Sequence, residues 1–296
     1  MSVQAMTDCL ISFGANLGNP REQFKSATAK LASTELVQLV KFSPLLETRP
    51  IGNVDAQPNY FNAAMLAKTE IGPLPLLKQL LKIETEIGRV RQERWKARII
   101  DLDLLIYGNE TLDSEVLVLP HPRMSFRRFM LEPSVEVAPD LIHPTSGITV
   151  RQLLQHLDER PNLILLVGDR HRVEFLAKQL ASTIRQSTIQ ESQLLLGDSN
   201  DNVDQILSRI TGQSVIEDPC KTKEGNTFML IPITTPEQLD RWSAHAKLII
   251  IDRCSDQPNL TKVASRFAGP MYRLPRLDDS QLSGELFAAI DAMRPI

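Results

Sequence analysis

Cysteine is scarce in this sequence, and the three present, Cys9, Cys220 and Cys254, are odd in number and far apart. That excludes a disulfide framework and the short ligand spacings of a structural zinc site, and it points to a reducing, cytoplasmic setting. Long apolar runs are missing too. The longest, LILLVG at 163–168 and KLIIID at 247–252, are too short to span a bilayer and read as buried strands. The opening MSVQAMTD lacks a basic region followed by an apolar core, so it reads as a frayed extension rather than a secretory signal. Neither sign of charge dominates. A formal net charge of -3 gives no global attraction to nucleic acid or anionic lipid, so any anionic ligand must be held by a local cluster of cations. There is no repeat of fixed period and no low-complexity tract, which excludes a solenoid.

What is present fits an ordinary soluble chain, 42% hydrophobic and 23% charged, and 296 residues lie near the length at which one core divides into two. The expected class is α/β (α+β). The first half alternates strand and helix patterns: CLISF at 9–13, a helix over 21–32, extended segments near 36–42 and 60–68, and a helix in which Leu74, Leu77, Leu81 and Glu84 mark successive turns between Pro73 and Gly88. After Leu119 the prolines, Pro133 among them, limit long regular elements, and a short helix near 150–157 closes this half. The polar DERPN at 158–162 precedes a fresh strand, which sets the expected domains at 1–159 and 160–296. The second half alternates again, with strands at 163–168, 228–233 and 248–252 and helices near 173–185, 203–210 and 281–293, as in a three-layer α/β domain, either Rossmann-like or a relic of a phosphate-binding-loop fold.

Chemistry concentrates around residues 84–103. Arg89, Arg91, Arg94, Lys96 and Arg98 immediately precede IIDLDLLIYG, whose period of two puts Asp101 and Asp103 on one face of a strand. Residues two apart on a strand are separated by about 6.6 Å, and carboxylates so spaced can bracket a pair of divalent ions ~3.5–4 Å apart. Hard oxygen ligands favour magnesium. A cationic run beside such a pair suits a nucleoside triphosphate, since metal and guanidinium groups together neutralise charge on transferring phosphoryl oxygens. A half-exposed strand beside a solvated arginine face would produce the same letters. The loop TRPIGNVDAQPNYFNAA places Tyr60 and Asn62 on one face, able to stack on and hydrogen-bond to a flat heterocycle, or else to serve as a core tyrosine and a turn asparagine. LPHPRMSFRRFML adds His121, Arg123, Arg127, Arg128 and Phe129, with His121 readable as a ligand or as a structural histidine.

Taken in order, FGANLGNP, TRPIG, QPNYFNAA, GRVRQERWKAR, IDLDLLIYG, LPHPRM and RRFML resemble the 6-hydroxymethyl-7,8-dihydropterin pyrophosphokinase family of folate biosynthesis over about residues 8–157. The resemblance implies a ferredoxin-like α/β fold and transfer of pyrophosphate from ATP to the hydroxymethyl group of the pterin, with AMP leaving. It implies that Asp101 and Asp103 coordinate two Mg2+ ions. By the same resemblance Tyr60 and Phe129 sandwich the pterin, Asn62 bonds its edge, Thr48 and Ile51 contribute through their backbones, and Gly14 lets the chain approach closely. Glu84, Arg89, Arg91, Arg94, Trp95, Arg98, His121 and Arg127 are implied for ATP. Loops near 51–58 and 91–97 are expected to close over the substrates, and either Asp103 or water accepts the proton. RWKAR, Ile99 and Leu81 depart from the family's usual residues without removing a metal ligand. The rival from another class is an inactive nucleotide- or pterin-binding regulatory module.

For the second half, DRHRVEFLAKQL follows the strand at 163–168 with neither G-x-x-x-x-G-K-[ST] nor G-x-G-x-x-G, so no nucleotide motif is met. Asp169 is expected as a helix N-cap, Asp252 follows a strand, and Asp198, Asp201 and Asp204 read as solvated acids. A scaffold for self-association or a second nucleotide-related activity both remain open for 160–296.

Overall fold

The computed structural model describes residues 6–51, 57–89, 98–186, 193–203, 205–206, 227–252, 267–275 and 279–294. The backbone divides into two compact units, Met1–Arg151 with Arg294–Ile296, and Gln152–Met293.

The first unit opens with β1 (Thr7–Ala15), α1 (Pro20–Ala32), β2 (Val37–Phe42) and β3 (Leu46–Thr48). It continues with β4 (Tyr60–Thr69), α2 (Pro73–Ile87), β5 (Asp101–Tyr107), a short ribbon of β6 (Leu112–Asp113) and β7 (Val118–Leu119), and α3 (Arg128–Val137). Its main sheet is antiparallel in the order β2-β4-β1-β5, with β3 pairing the outer part of β4. Alternation along the central strands sorts the two faces. Cys9, Ile11, Phe13 and Ala15 of β1, with Ala63, Met65 and Ala67 of β4, pack on Phe24, Ala27 and Leu31 of α1 and on Leu76, Leu80 and Ile83 of α2. The opposite face is covered in part by α3, and beyond it Ser12, Gly14, Asn62, Asp101 and Asp103 face the other way from the core.

Local signals set the helix ends. Asn19 caps α1, its Oδ1 accepting from Glu22 N at 3.3 Å, and Pro20 follows at the first helical position. α2 also starts on proline and ends at Gly88, whose φ of 105° is left-handed. The reversal returns Gly88 N–H to Thr85 O at 3.1 Å and Arg89 N–H to Glu84 O at 3.0 Å, which sends the Arg89 side chain back across the end of the helix. The face of α2 packed on the sheet is Leu76, Leu80, Ile83 and Glu84, one position round from the Leu74–Leu77–Leu81 series, and Leu74 is exposed. α3 runs through Pro133, at the cost of one backbone bond, where the sequence suggested that proline would cut regular structure short.

α4 (Val150–Glu159) leads into β8 (Leu163–Val167), α5 (Arg170–Gln186), β9 (Gln193–Leu196), β10 (Thr227–Ile233), α6 (Pro236–Ser243), β11 (Leu248–Ile251), β12 (Met271–Arg273) and α7 (Asp279–Asp291). The sheet is parallel, in the order β12-β11-β8-β10-β9. Every residue of β8 is buried, as befits a central parallel strand covered on both faces. Leu239 and Trp242 of α6 join the cluster on one face, and Trp242 Nε1 donates to Ser199 O at 3.0 Å. Counted from β8, the order is 2-3-1-4-5, not the 3-2-1-4-5-6 of the dinucleotide-binding fold. The chain leaves β8 for the far edge and returns inward to β10, so the strand order supports an α/β unit with a parallel sheet and does not confirm the Rossmann-like expectation.

One buried histidine, His143, and one half-buried, His156, link fold to pH. His143 Nδ1 accepts from Ser146 N at 3.3 Å, and His156 Nε2 meets Ala246 O at 2.9 Å with its ring edge-on to Phe267. Burial pulls each down to about 4. A depressed folded value means the neutral ring is the one the fold prefers, so this stability is complete above the unfolded value of about 6.5 and is lost as pH falls through about 4. The thermal midpoint should therefore drop between pH 6.5 and 4. In thermal melts a double variant, His143→Asn with His156→Gln, is expected to lose less over that window than the parent.

Candidate active site

The open face of the first sheet becomes a site because of strand register. Gly14 on the central strand pairs with Asn62 on one side and Asp101 on the other, and Ser12 pairs with Asp103, so the acids and the amide share two adjacent rows. A Cβ on Gly14 would sit 3.4 Å from Asn62 Oδ1, so the missing side chain keeps that row open. Above it lies a cleft of about 210 Å³ within the first unit.

One end of the cleft is polar and aromatic. Asn62 is buried, and its Nδ2 donates to Thr48 Oγ1 at 2.9 Å, a bond made possible where β3 pairs with β4. Tyr60, Phe129 and Ile51 line the same space, and the Arg127 guanidinium lies 5.4 Å from the centre of the Phe129 ring. This cation reinforces the aromatic wall and reaches toward the other end.

That other end is charged. Asp101 and Asp103 line it together with Arg98, Arg123, Arg127 and His121. Asp101 is held from two sides: Arg89 Nη1 reaches Oδ1 at 2.5 Å and Arg98 Nη1 bonds Oδ2. Burial and the neighbouring Asp103 charge push the Asp101 carboxyl up, while Arg98 and Arg89 pull it back. Among the described residues no hydrogen bond or ion pair engages the Asp103 carboxylate. His121 is anchored by its N–H on Leu105 O at 2.8 Å, and its Nδ1 accepts from Arg123 N at 3.3 Å, which leaves the proton of the neutral ring on Nε2. Burial, with Arg127 and Arg123 nearby, pulls His121 down to about 3, so the ring is a neutral donor.

Glu84 and Arg89 stand behind the cleft, in contact with the strand that carries Asp101. Neither lines the cleft. Glu84 is 2% exposed, its Oε1 accepts from Leu102 N at 2.7 Å, and it also pairs with Arg89. Burial pushes the Glu84 carboxyl up to about 7, against the opposing pull of Leu102 N–H and Arg89. Its work is to clamp α2 to β5 and to aim Arg89 at Asp101, so it meets the site through other residues. Arg91, Arg94 and Trp95 lie outside the described residues, as do 52–56 and most of the segment expected to close. Ser12, Arg49, Gln57 and Arg123 also border the cleft. Arg49, Gln57 and Arg123 carried a sequence signal through their places in TRPIG, QPNYFNAA and LPHPRM, whereas Ser12 carried none.

A family model for 7,8-dihydro-6-hydroxymethylpterin-pyrophosphokinase matches residues 10–139. A relative from Haemophilus influenzae named 2-amino-4-hydroxy-6-hydroxymethyldihydropteridine pyrophosphokinase is 40% identical over 155 residues, which is 52% of this chain and 96% of that protein. The chain belongs to this pyrophosphokinase family. A relative of the same name from Synechocystis is 36% identical over 149 residues, 50% of this chain and 75% of its own. Both pyrophosphokinase matches cover about half of this chain. The crystal structure of Plasmodium falciparum HPPK-DHPS overlaps 99% of this chain and 80% of that one with 11% identity and a TM-score of 0.40, too loose a fit to assign the second unit.

The clamp makes a measurable prediction for this pyrophosphokinase unit. Glu84→Leu leaves Leu102 N–H unpaired while Arg89 keeps Asp101 as its partner, so it should cost about 1–3 kcal/mol, the range for stranding a buried donor. Glu84→Gln keeps the acceptor for Leu102 N and should cost less. Urea unfolding of the two variants, side by side, reads the difference.

Proposed function

We propose that the first unit transfers the terminal pyrophosphate of ATP to 6-hydroxymethyl-7,8-dihydropterin, releasing AMP, as a step of tetrahydrofolate biosynthesis. The hydroxyl oxygen of the pterin attacks the β-phosphorus, the bond from that phosphorus to the oxygen bridging to the α-phosphate breaks, and AMP departs with that oxygen. The hydroxyl proton goes to water or to Asp103. The carrying observation is the single sheet face on which Asn62, Gly14 and Asp101 stand in one row, with an amide and aromatic corner at one end and paired acids facing arginines at the other.

The pterin assignment rests on chemistry that suits a flat, polar heterocycle. Asn62 and Thr48 offer amide and hydroxyl partners, and Tyr60 and Phe129 offer ring faces. At the other end Arg98 and Arg127 supply fixed positive charge and His121 an Nε2–H donor for phosphate oxygens. Gly14 keeps the ground between the two ends free of side-chain bulk, so the two substrates can meet there.

Magnesium fits this donor set. Asp101 and Asp103 are hard oxygen ligands on one strand face, and a cation that keeps several waters and takes its remaining ligands from phosphates needs no fuller protein cage. Two Mg2+ ions held by these carboxylates would offset charge on the triphosphate. Asp101 would then share its oxygens between the ions and Arg89 and Arg98. We read the β-α-β-β-α-β order of the first unit as ferredoxin-like and assign residues 160–296 no chemistry of their own.

Activity is tested by chromatographic detection of AMP from ATP, pterin and Mg2+. Asp101→Asn and Asp103→Asn should each lower turnover by about a thousandfold or more while the thermal midpoint stays near the parent's. Parent-like AMP release from both variants would refute the role given to the acids, and release from neither variant nor parent would leave a binding module. Phe129→Ala should weaken pterin binding by about tenfold, equivalent to ~1.4 kcal/mol, with nucleotide affinity little changed. Calorimetric titration of each ligand separates the two.

A further inference from the structure

Asn16 follows the last residue of β1, is 4% exposed and does not line the cleft, yet its amide touches two segments that do. On the phosphate side its Oδ1 accepts from Arg98 N at 2.7 Å, and the backbone N–H groups of Asn16 and Leu17 both donate to Arg98 O, at 3.0 and 3.2 Å. Arg98 is thus fixed by its backbone on both sides while its guanidinium holds Asp101. On the pterin side Asn16 Nδ2 donates to Gln57 Oε1 at 3.2 Å and to Pro58 O at 3.4 Å. Gln57 Oε1 also receives the Tyr60 hydroxyl at 3.4 Å.

We infer that Asn16 is a positioning residue that couples the two substrate sites, by fixing the arginine of the phosphate end and the Gln57–Tyr60 wall of the pterin end to one buried amide. The inference rests on the assignment of the two ends to ATP and pterin. The amide is suited to the task because it presents an acceptor to one wall and two donors to the other, and all three are used. Asp supplies no donor for Pro58 O, Ser is too short to reach both walls, and an apolar residue leaves Arg98 N–H unpaired in a buried setting. A ligand that settles Arg98 also settles the anchor of Tyr60, and the reverse holds equally, since coupling between two sites is reciprocal.

The test uses the full chain. Affinity for the pterin is measured with and without a nonhydrolysable ATP analogue and Mg2+, and affinity for the analogue with and without the pterin, in the parent, Asn16→Ala and Asn16→Asp. The parent is expected to bind each ligand at least about fivefold more tightly when the other is present. In Asn16→Ala that factor should fall to near one. Asn16→Asp keeps the acceptor for Arg98 N, so its affinity for the analogue alone should stay within about threefold of the parent while the coupling factor is lost. A purely structural role would lower the thermal midpoint and leave the ratio alone. An unchanged ratio in a variant that is folded at the assay temperature overturns the inference, and where Asn16→Ala does not fold, Asn16→Asp decides it. A parent that binds neither ligand overturns the assignment of the ends, and this inference with it, and is distinguishable because the parent itself then fails.

Discussion

One carboxylate, Asp101, sets the geometry of the charged end, and its environment explains why so much of the first unit is arranged around it. Burial and the adjacent Asp103 both disfavour its charge, while Arg89 and Arg98 restore it from opposite sides. Each arginine is in turn held in place, Arg89 by near neighbours and Arg98 by a segment remote in sequence. Gly88 reverses the chain so that Arg89 can turn back, Glu84 pins it, and Arg98 is tied through its backbone to Asn16 and Leu17. A like-charged pair in a half-buried site is unfavourable on its own terms, and the surrounding cations make it tolerable before any ligand arrives. The site is thereby poised for an anionic substrate accompanied by hard cations.

The division of labour between the faces of one sheet follows from the same arrangement. Because side chains alternate, the strands that build the core under α1 and α2 present their other residues to the cleft, and no separate loop scaffold is needed for the acids. Strand register then does what a loop could do only with difficulty: it puts Asn62, Gly14 and Asp101 in one row across three strands. A slip by one residue would exchange the acids for Leu102 and Leu104 and destroy both the core and the site together.

How much of this was legible in the sequence depends on whether the relation is local. The spacing of Asp101 and Asp103 is a property of one strand, and both line the cleft together with Gly14, Thr48, Ile51, Tyr60, Asn62, Arg98, His121, Arg127 and Phe129. Asp169 reads as a cap from its place after a strand, and its Oδ1 does accept from His171 N and Arg172 N. For Glu84 the family position was the only guide, and its bond to Leu102 N was hidden because it joins residues 18 apart that meet only in the folded unit. Asn16 was hidden inside a glycine-rich motif whose glycine drew the attention, and its partners lie 41 or more residues away. Strand order in the second unit was illegible for a related reason, since alternation of strand and helix does not say on which side of β8 each later strand will settle.

The second unit shows that an arginine paired with an aspartate makes a site only when something remains unmet. Open parallel sheets bind ligands at the carboxyl ends of their strands, and there Asp252, just past β11, is 2% exposed and lies 2.6 Å from Arg172 Nε in the first turn of α5. Two backbone N–H groups of that turn, which an anion would otherwise use, are taken by the Asp169 side chain. β11 itself, LIII, carries no acid beside Asp252, unlike the DLD of β5. Asp101 differs on each count: it opens on a cleft, shares a strand face with Asp103 and is held by Arg98, which faces the same space. The same chemical pair is buried in one unit and opens on a cleft in the other, and the difference lies in the neighbouring carboxylate and the open row beside it.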